Sequence, residues 1–287
     1  MSNTLQEFSD ALADAVKVAG QNTVRIEARR RLPATGIVWE GGLIITAHHV
    51  VEKSEGIKVG LPDGSMVEAK LVGRDPSTDI AVLRAETNLS GFQVAEGEAR
   101  VGHLVVAIGR SGSDVQASLG IINTHIHIRQ ETALQTDVVM YPGFSGGPLI
   151  DASGRLLGMN TSAMSNGSLT IPVAILHRVA GQIAEHGKVK RGFIGVSLQP
   201  VRLNDSISAL AGQSKGLLIV GTEQDGPADK AGLFQGDIVV TFDSLKVTHL
   251  EELLGMLNGE RVGRPVPVQI VRGGQLHEVT ITVGERD

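Results

Sequence analysis

Between Thr23 and about Val173 the chain is a succession of short runs rich in β-branched and aliphatic residues, with no helix-length segment between them. The runs include Thr23-Val24-Arg25-Ile26-Glu27, Gly36-Ile37-Val38-Trp39, Leu43-Ile44-Ile45-Thr46, Ile57-Lys58-Val59, Ile80-Ala81-Val82-Leu83 and Leu104-Val105-Val106-Ala107-Ile108. Turn signals such as Pro62-Asp63-Gly64 and Asp151-Ala152-Ser153-Gly154 separate them at close intervals, which predicts an antiparallel barrel or sandwich. A parallel sheet needs helical crossovers, so a βαβ architecture is disfavoured. Glycine accounts for 36 of the 287 residues without a strict period, as many tight turns require.

Different patterns flank this region. Leu5, Phe8, Leu12, Ala15 and Val16 recur at spacings of three and four, the stripe of an amphipathic helix over residues 5–19 that should dock on something. Ile175, Val179 and Ile183 predict a helix from about Val173 to His186, with Gly187 as its C-cap. The charged stretch from His186 to Arg191 is the best boundary. Beyond it, strands around Leu217 to Val220, Ile238 to Phe242, Val266 to Val271 and Val279 to Val283 surround a helix at Leu250 to Leu257, so a second, smaller domain is expected. A length of 287 residues accommodates both.

Composition removes several classes. The chain has no cysteine, which excludes disulfides, thiolate metal sites and a cysteine nucleophile. A formal charge of -5 supplies no field for nucleic acid or anionic membrane, and the run Arg29-Arg30-Arg31 reads as a solvated loop. No apolar run approaches the roughly 18 residues of a membrane helix. In the first thirty residues Glu7, Asp10, Asp14 and Lys17 interrupt every apolar stretch, so no export signal is read and a cytoplasmic location is expected. A chain whose export segment had been removed would read the same, so the alternative is periplasmic or extracytoplasmic.

Chemistry concentrates in Tyr141-Pro142-Gly143-Phe144-Ser145-Gly146-Gly147-Pro148. A serine between glycines allows a sharp backbone turn, and the amides of Gly143 and Ser145 can then point at one spot as an oxyanion hole. A nucleophilic serine needs a base, and the base needs an orienting carboxylate. Ile44-Ile45-Thr46-Ala47-His48-His49-Val50 carries histidines at the end of a buried strand, and Ser77-Thr78-Asp79-Ile80-Ala81-Val82-Leu83 carries an aspartate at the start of another. The order His, Asp, Ser is that of the chymotrypsin arrangement.

Thr46-Ala47-His48-His49-Val50, Asp79-Ile80-Ala81-Val82-Leu83 and Gly143-Phe144-Ser145-Gly146-Gly147-Pro148 resemble the three signatures of the HtrA (Deg) family of trypsin-like serine proteases. The resemblance implies a mainly β fold, a chymotrypsin-like double antiparallel β-barrel followed by a PDZ domain. It divides the chain into a segment 1–19, a protease domain 20–187 and a PDZ domain 188–287. It assigns His49 as base, Asp79 as its orienter, Ser145 as nucleophile, and the amides of Gly143 and Ser145 as the oxyanion hole. Met140, Tyr141, Thr161 and Ser162 are expected at the pocket for the substrate side chain, with a small or medium apolar preference. Phe144 departs from the small polar residue usual before the serine, and is expected to favour a resting loop that must be remodelled.

Arg191-Gly192-Phe193-Ile194-Gly195-Val196 resembles the carboxylate-binding loop of HtrA-type PDZ domains, and Gly226 to Leu233 with Gln235 to Val239 resembles their central signature. A peptide would add as a strand beside Ile194 to Val196, its terminal carboxylate on amides of the Gly192, Phe193, Ile194 and Gly195 loop. The resemblance implies ATP-independent endoproteolysis of unfolded or misfolded proteins, and a homotrimer for which the Leu5, Phe8 and Leu12 stripe is the candidate contact. No cofactor, metal or nucleic-acid partner is expected: His125 and His127 share a strand face without a third ligand, and Gly109-Arg110-Ser111-Gly112-Ser113 lacks the lysine of a phosphate loop. The competing class is a peptide-binding scaffold or holdase whose triad is silent or latent.

Overall fold

The computed structural model describes residues 3–97, 99–128, 131–163 and 168–286, and it divides into two compact units, Met1–Val189 and Lys190–Asp287. In the first unit, helix α1 (Thr4–Gly20) precedes β1 (Thr23–Glu27), β2 (Ala34–Val38), β3 (Leu43–Ala47), β4 (Ile57–Gly60), β5 (Met66–Asp75) and β6 (Ile80–Ala85). These strands close an antiparallel barrel in the order β1-β2-β3-β6-β5-β4. A second barrel is built from β7 (Leu104–Gly109), β8 (Gln116–Ile128), β9 (Glu131–Thr136), β10 (Pro148–Asp151), β11 (Leu156–Thr161) and β12 (Ser168–Pro172), in the order β10-β11-β12-β9-β8-β7. Closure of both sheets decides between barrel and sandwich, and it removes the exposed edges that an open sheet would present.

Strands β2 and β3 are buried at every position. One face lines the first barrel, and β3 also packs on β11, so the apolar core of the first barrel continues into Leu156, Met159 and Ile171 of the second. Burial on both faces is why these runs read as continuously apolar. Strand β5, by contrast, buries only Ala69 and Asp75 fully, and the charged Glu68, Lys70 and Arg74 interrupt its apolar residues, so no such run appears.

Helix α2 (Val173–His186) buries Ile175, Leu176, Val179, Ala180 and Ile183, and ends at Gly187, whose φ of 75° is the left-handed conformation of a C-cap. The stripe of α1 divides in two. Ala15 and Ala19, with Leu12 and Val16, pack on Val106, Ile108 and Ile150 of the second barrel, whereas Leu5 and Phe8 remain exposed. The buried Arg110 guanidinium fastens the end of α1 by donating to the carbonyls of Gly20 and Thr23 at 2.9 and 2.8 Å.

The second unit contains β13 (Gly192–Phe193), β14 (Val196–Arg202), α3 (Asp205–Ala211), β15 (Lys215–Thr222), α4 (Pro227–Lys230), β16 (Ile238–Phe242), β17 (Leu245–Lys246), α5 (Leu250–Met256), β18 (Pro265–Arg272), β19 (Gln275–Thr282) and β20 (Gly284–Glu285). Its main sheet runs β14-β15-β16-β18-β19, with β17 beside β16, while β13 pairs with β20. Leu217, Ile219, Val239, Phe242, Val268, Ile270 and Ile281 form the centre of its core. Strand β14 lies at the edge of the sheet and packs against α5.

Candidate active site

His49 and Asp79 meet because β3 and β6 are antiparallel neighbours. Their register pairs Ala47 with Ile80, so the residues just beyond β3 and just before β6 fall side by side. A 3-10 turn over His48–Val50 directs His49 toward Asp79, and His48 N–H donates to the Asp79 carbonyl at 2.9 Å. The His49 backbone N–H donates to Asp79 Oδ1 at 2.9 Å, and His49 Nδ1 lies 2.9 Å from Oδ2. Asp79 is buried and sits at a φ of 55°, a left-handed conformation that aspartate tolerates better than most residues but at a cost. Burial pushes its carboxyl up, yet the hydrogen bonds from His49 and Thr161 outweigh burial and hold it below its usual range. Among the described residues the His48 ring has no hydrogen bond to this carboxylate. Its Nδ1 is buried without a partner among the described residues, and burial, with Arg74 nearby, pushes its imidazole down.

Ser145 lies in the turn between β9 and β10. Gly143 has a φ of 96°, and a Cβ there would lie 2.5 Å from Ser111 Cβ. At Gly146, with a φ of 86°, a Cβ would lie 2.2 Å from the Thr35 carbonyl oxygen on β2. Both positions therefore need glycine for conformation and for space. Phe144, between them, is fully buried among Val105, Ala107, Ile122, Leu134, Val138 and Leu149. Its ring pins the loop into the second barrel. Among the described residues, the N–H groups of Gly143 and Ser145 have no acceptor, while those of Phe144, Gly146 and Gly147 donate to Tyr141, Asn160 and Phe144 carbonyls. The Ser145 hydroxyl has the Ser162 hydroxyl as its partner at 3.1 Å, and not His49.

The four residues expected at the substrate pocket separate. Tyr141 is half exposed and stacks edge-on against Phe144 at 5.5 Å, and Met140 packs on the same cluster. Ser162 is exposed beside Ser145. Thr161 is fully buried and its hydroxyl donates to Asp79 Oδ2 at 2.5 Å, so its side chain is engaged on the carboxylate. That contact joins residues 82 positions apart, and nothing in the local sequence signals it.

In the second unit, Gly192 N–H donates to the Leu257 carbonyl, and the carbonyls of Ile194 and Gly195 accept from Ala228 and Glu223. Gly195 has a φ of 71°. The loop's carbonyls are thus turned inward, and among the described residues the N–H groups of Ile194 and Gly195 have no acceptor. Val196 then opens the edge strand β14. The ring of His125, considered as a metal ligand, bonds the Ala99 carbonyl at 2.8 Å.

Two closed six-stranded antiparallel barrels followed by a PDZ-like sheet define the chymotrypsin-like protease class. A family model for a trypsin-like peptidase domain matches residues 34–159, and one for a PDZ domain matches residues 192–283. The crystal structure of the serine endoprotease from Yersinia pestis is 30% identical with a TM-score of 0.82, covering 96% of this chain and 98% of that one. The HtrA-type protease AlgW with decapeptide is 28% identical with a TM-score of 0.81, at 96% and 99% coverage. The chain belongs to the HtrA family of trypsin-like serine proteases with a C-terminal PDZ domain.

Among curated proteins, a probable periplasmic serine endoprotease DegP-like from Halomonas elongata is 35% identical over 97% of this chain, and one from Chlamydia trachomatis 34% over 90%. The chain spans 61% and 55% of the length of these two relatives. Both carry a periplasmic description, which overturns the expected cytoplasmic location. That expectation rested on the charged residues that interrupt the apolar stretches of residues 1–30, and these are no guide to the compartment. No helix among the described residues is long and apolar enough to cross a membrane.

Proposed function

We propose that this chain is an ATP-independent serine endopeptidase acting on unfolded or misfolded proteins, in which Ser145 is the nucleophile, His49 the base and Asp79 the orienter. Ser145 Oγ attacks the peptide carbonyl while its proton passes to the His49 nitrogen facing away from Asp79. His49 later returns that proton to the leaving amine, and water then releases the acyl group by the reverse roles. Asp79 stays ionised, which suits a carboxyl held below its usual range and keeps the Nδ1 proton between the two side chains. The Gly143 and Ser145 amides receive the oxyanion, each such donor being worth about 3 kcal/mol in the transition state. The observation that carries this reading is the pair of amides flanking Phe144 that have no acceptor among the described residues, while Phe144, Gly146 and Gly147 N–H each have one.

Residues 20–187 would be the protease domain and residues 188–287 the PDZ domain, with a peptide C-terminus received by the Ile194 and Gly195 amides and its strand laid along β14. The exposed Leu5 and Phe8 at the start of α1 are the proposed contact of a homotrimer. One observation favours a second reading, a latent scaffold or holdase: Ser145 is hydrogen-bonded to Ser162 instead of the base. Incubation with unfolded casein and a fluorophosphonate probe, beside Ser145→Ala, separates the two. Cleavage and labelling by the native chain alone are expected, and neither by the native chain would leave the scaffold reading.

A further inference from the structure

The flexibility that lets the 143–147 loop form an oxyanion hole also lets it collapse, because Gly143 can turn its peptide planes at little steric cost. Something outside the loop has to hold it. Thr35, on β2 of the first barrel and fully buried, touches the loop twice. Its hydroxyl donates to the Gly143 carbonyl at 2.6 Å, and its N–H donates to the Ser145 carbonyl at 3.3 Å. The same hydroxyl accepts from Arg110 N–H at 2.8 Å, and the Thr35 carbonyl accepts from the Thr46 hydroxyl at 2.7 Å, so Thr35 is itself fixed on both sides.

A trans peptide is planar, with C=O and the following N–H pointing in opposite directions. The 143–144 peptide is therefore held at both ends, by Thr35 Oγ1 on its carbonyl and by the Tyr141 carbonyl on Phe144 N–H. The 145–146 peptide is held likewise, by Thr35 N–H and by the Asn160 carbonyl. Between them the Phe144 carbonyl is taken by Gly147 N–H. The Ser145 N–H shares the plane of that carbonyl and so points the opposite way, while the Gly143 N–H lies in the 142–143 peptide, joined at Gly143 Cα to the plane that Thr35 holds. We propose that the Thr35 hydroxyl is a positioning residue that keeps the oxyanion loop in its donor-presenting conformation, a role that rests on the protease reading above.

Thr35→Val removes the hydroxyl at nearly constant volume, and Thr35→Ser keeps it. The expected result is a fall of about 10²-fold in kcat on a peptide substrate for Thr35→Val with KM nearly unchanged, since loss of one oxyanion donor has that size. A peptide boronate should lose affinity in parallel, a non-reactive peptide should not, and Thr35→Ser should recover most of the rate. If Thr35→Val does not fold, Thr35→Ala against Thr35→Ser reads the same contrast. Thr35→Val as active as the native chain, or Thr35→Ser no better than Thr35→Val, overturns the proposal. A native chain that cleaves nothing overturns the protease reading instead, so the two failures are distinct.

Discussion

The two halves of the candidate site are built by different means. His49 and Asp79 come from adjacent strands of one barrel and are aligned by strand register, with the Ala47–Ile80 pair as the last rung before them. Ser145 comes from a glycine-bearing turn of the other barrel whose shape is held by contacts from elsewhere: Thr35 on β2, Asn160 on β11 and the Phe144 ring in the core. Register is hard to perturb without unfolding a barrel, whereas a turn with borrowed supports is open to adjustment at single residues. The base side should therefore fail through chemistry, and the nucleophile side through geometry.

The largest effect tests the base side. Asp79→Asn should lower kcat by about 10⁴-fold, because the amide can donate to Nδ1 and stabilise the wrong tautomer while the barrel stays folded. Circular dichroism with steady-state kinetics checks both parts; a loss below tenfold would mean that Asp79 does not orient the base. Gly146→Ala should break the other half structurally. Its Cβ would lie 2.2 Å from the Thr35 carbonyl at a φ of 86°, and a destabilisation of about 3 kcal/mol is expected in urea unfolding. Unchanged stability would mean that the β2 contact is looser than described.

Acid provides a third, smaller contrast. The Asp79 carboxyl is held below its usual range in the folded chain, so its ionised form binds protons less readily than in the unfolded chain. Its contribution to stability is present above the unfolded pKa and disappears as pH falls through the lower folded value. The difference in Tm between the native chain and Asp79→Asn should therefore shrink as pH falls below the ordinary aspartate range. Asp237 in the second unit is also held low, because two hydrogen bonds from Arg272 outweigh burial, so acid weakens that unit by the same sign. A Tm difference that grew in acid would reverse the assignment.

The elements were legible where hydrophobic pattern and local geometry coincide. The stretches Thr23 to Glu27, Leu43 to Thr46 and Ile80 to Leu83 announce themselves because their strands are wholly or mostly buried, and Gly187 announces the end of α2 by its conformation. Strand β5 does not, because one barrel wall is wet and its residues follow solvent. Thr161 and Thr35 were illegible for a different reason. Each looks like any threonine in a strand, and its meaning lies in a contact 82 or 108 residues away. Phe144 reads as an intruder beside a serine, yet its ring occupies space that Gly109 leaves free: a Cβ at Gly109 would lie 2.3 Å from it.

The smallest effect concerns the nucleophile's own hydrogen bond. Ser145 Oγ has a single proton, and for attack that proton must be directed at the base. Ser145 Oγ lies 3.1 Å from Ser162 Oγ, an exposed hydroxyl, and either can donate in a bond with a modest net value of about 0.5–1 kcal/mol. If this bond holds the nucleophile in a resting orientation, Ser162→Ala should speed fluorophosphonate labelling of Ser145 by about two- to fivefold, the rate equivalent of that energy. Thr35→Val should slow labelling in the same assay, because it acts on the amides instead of the hydroxyl. Opposite signs from two residues touching one turn would separate the orientation of the nucleophile from the shape of the oxyanion hole. A slowing in both variants would instead make Ser162 a further support of the turn, and the nucleophile side would then depend on four contacts, not three.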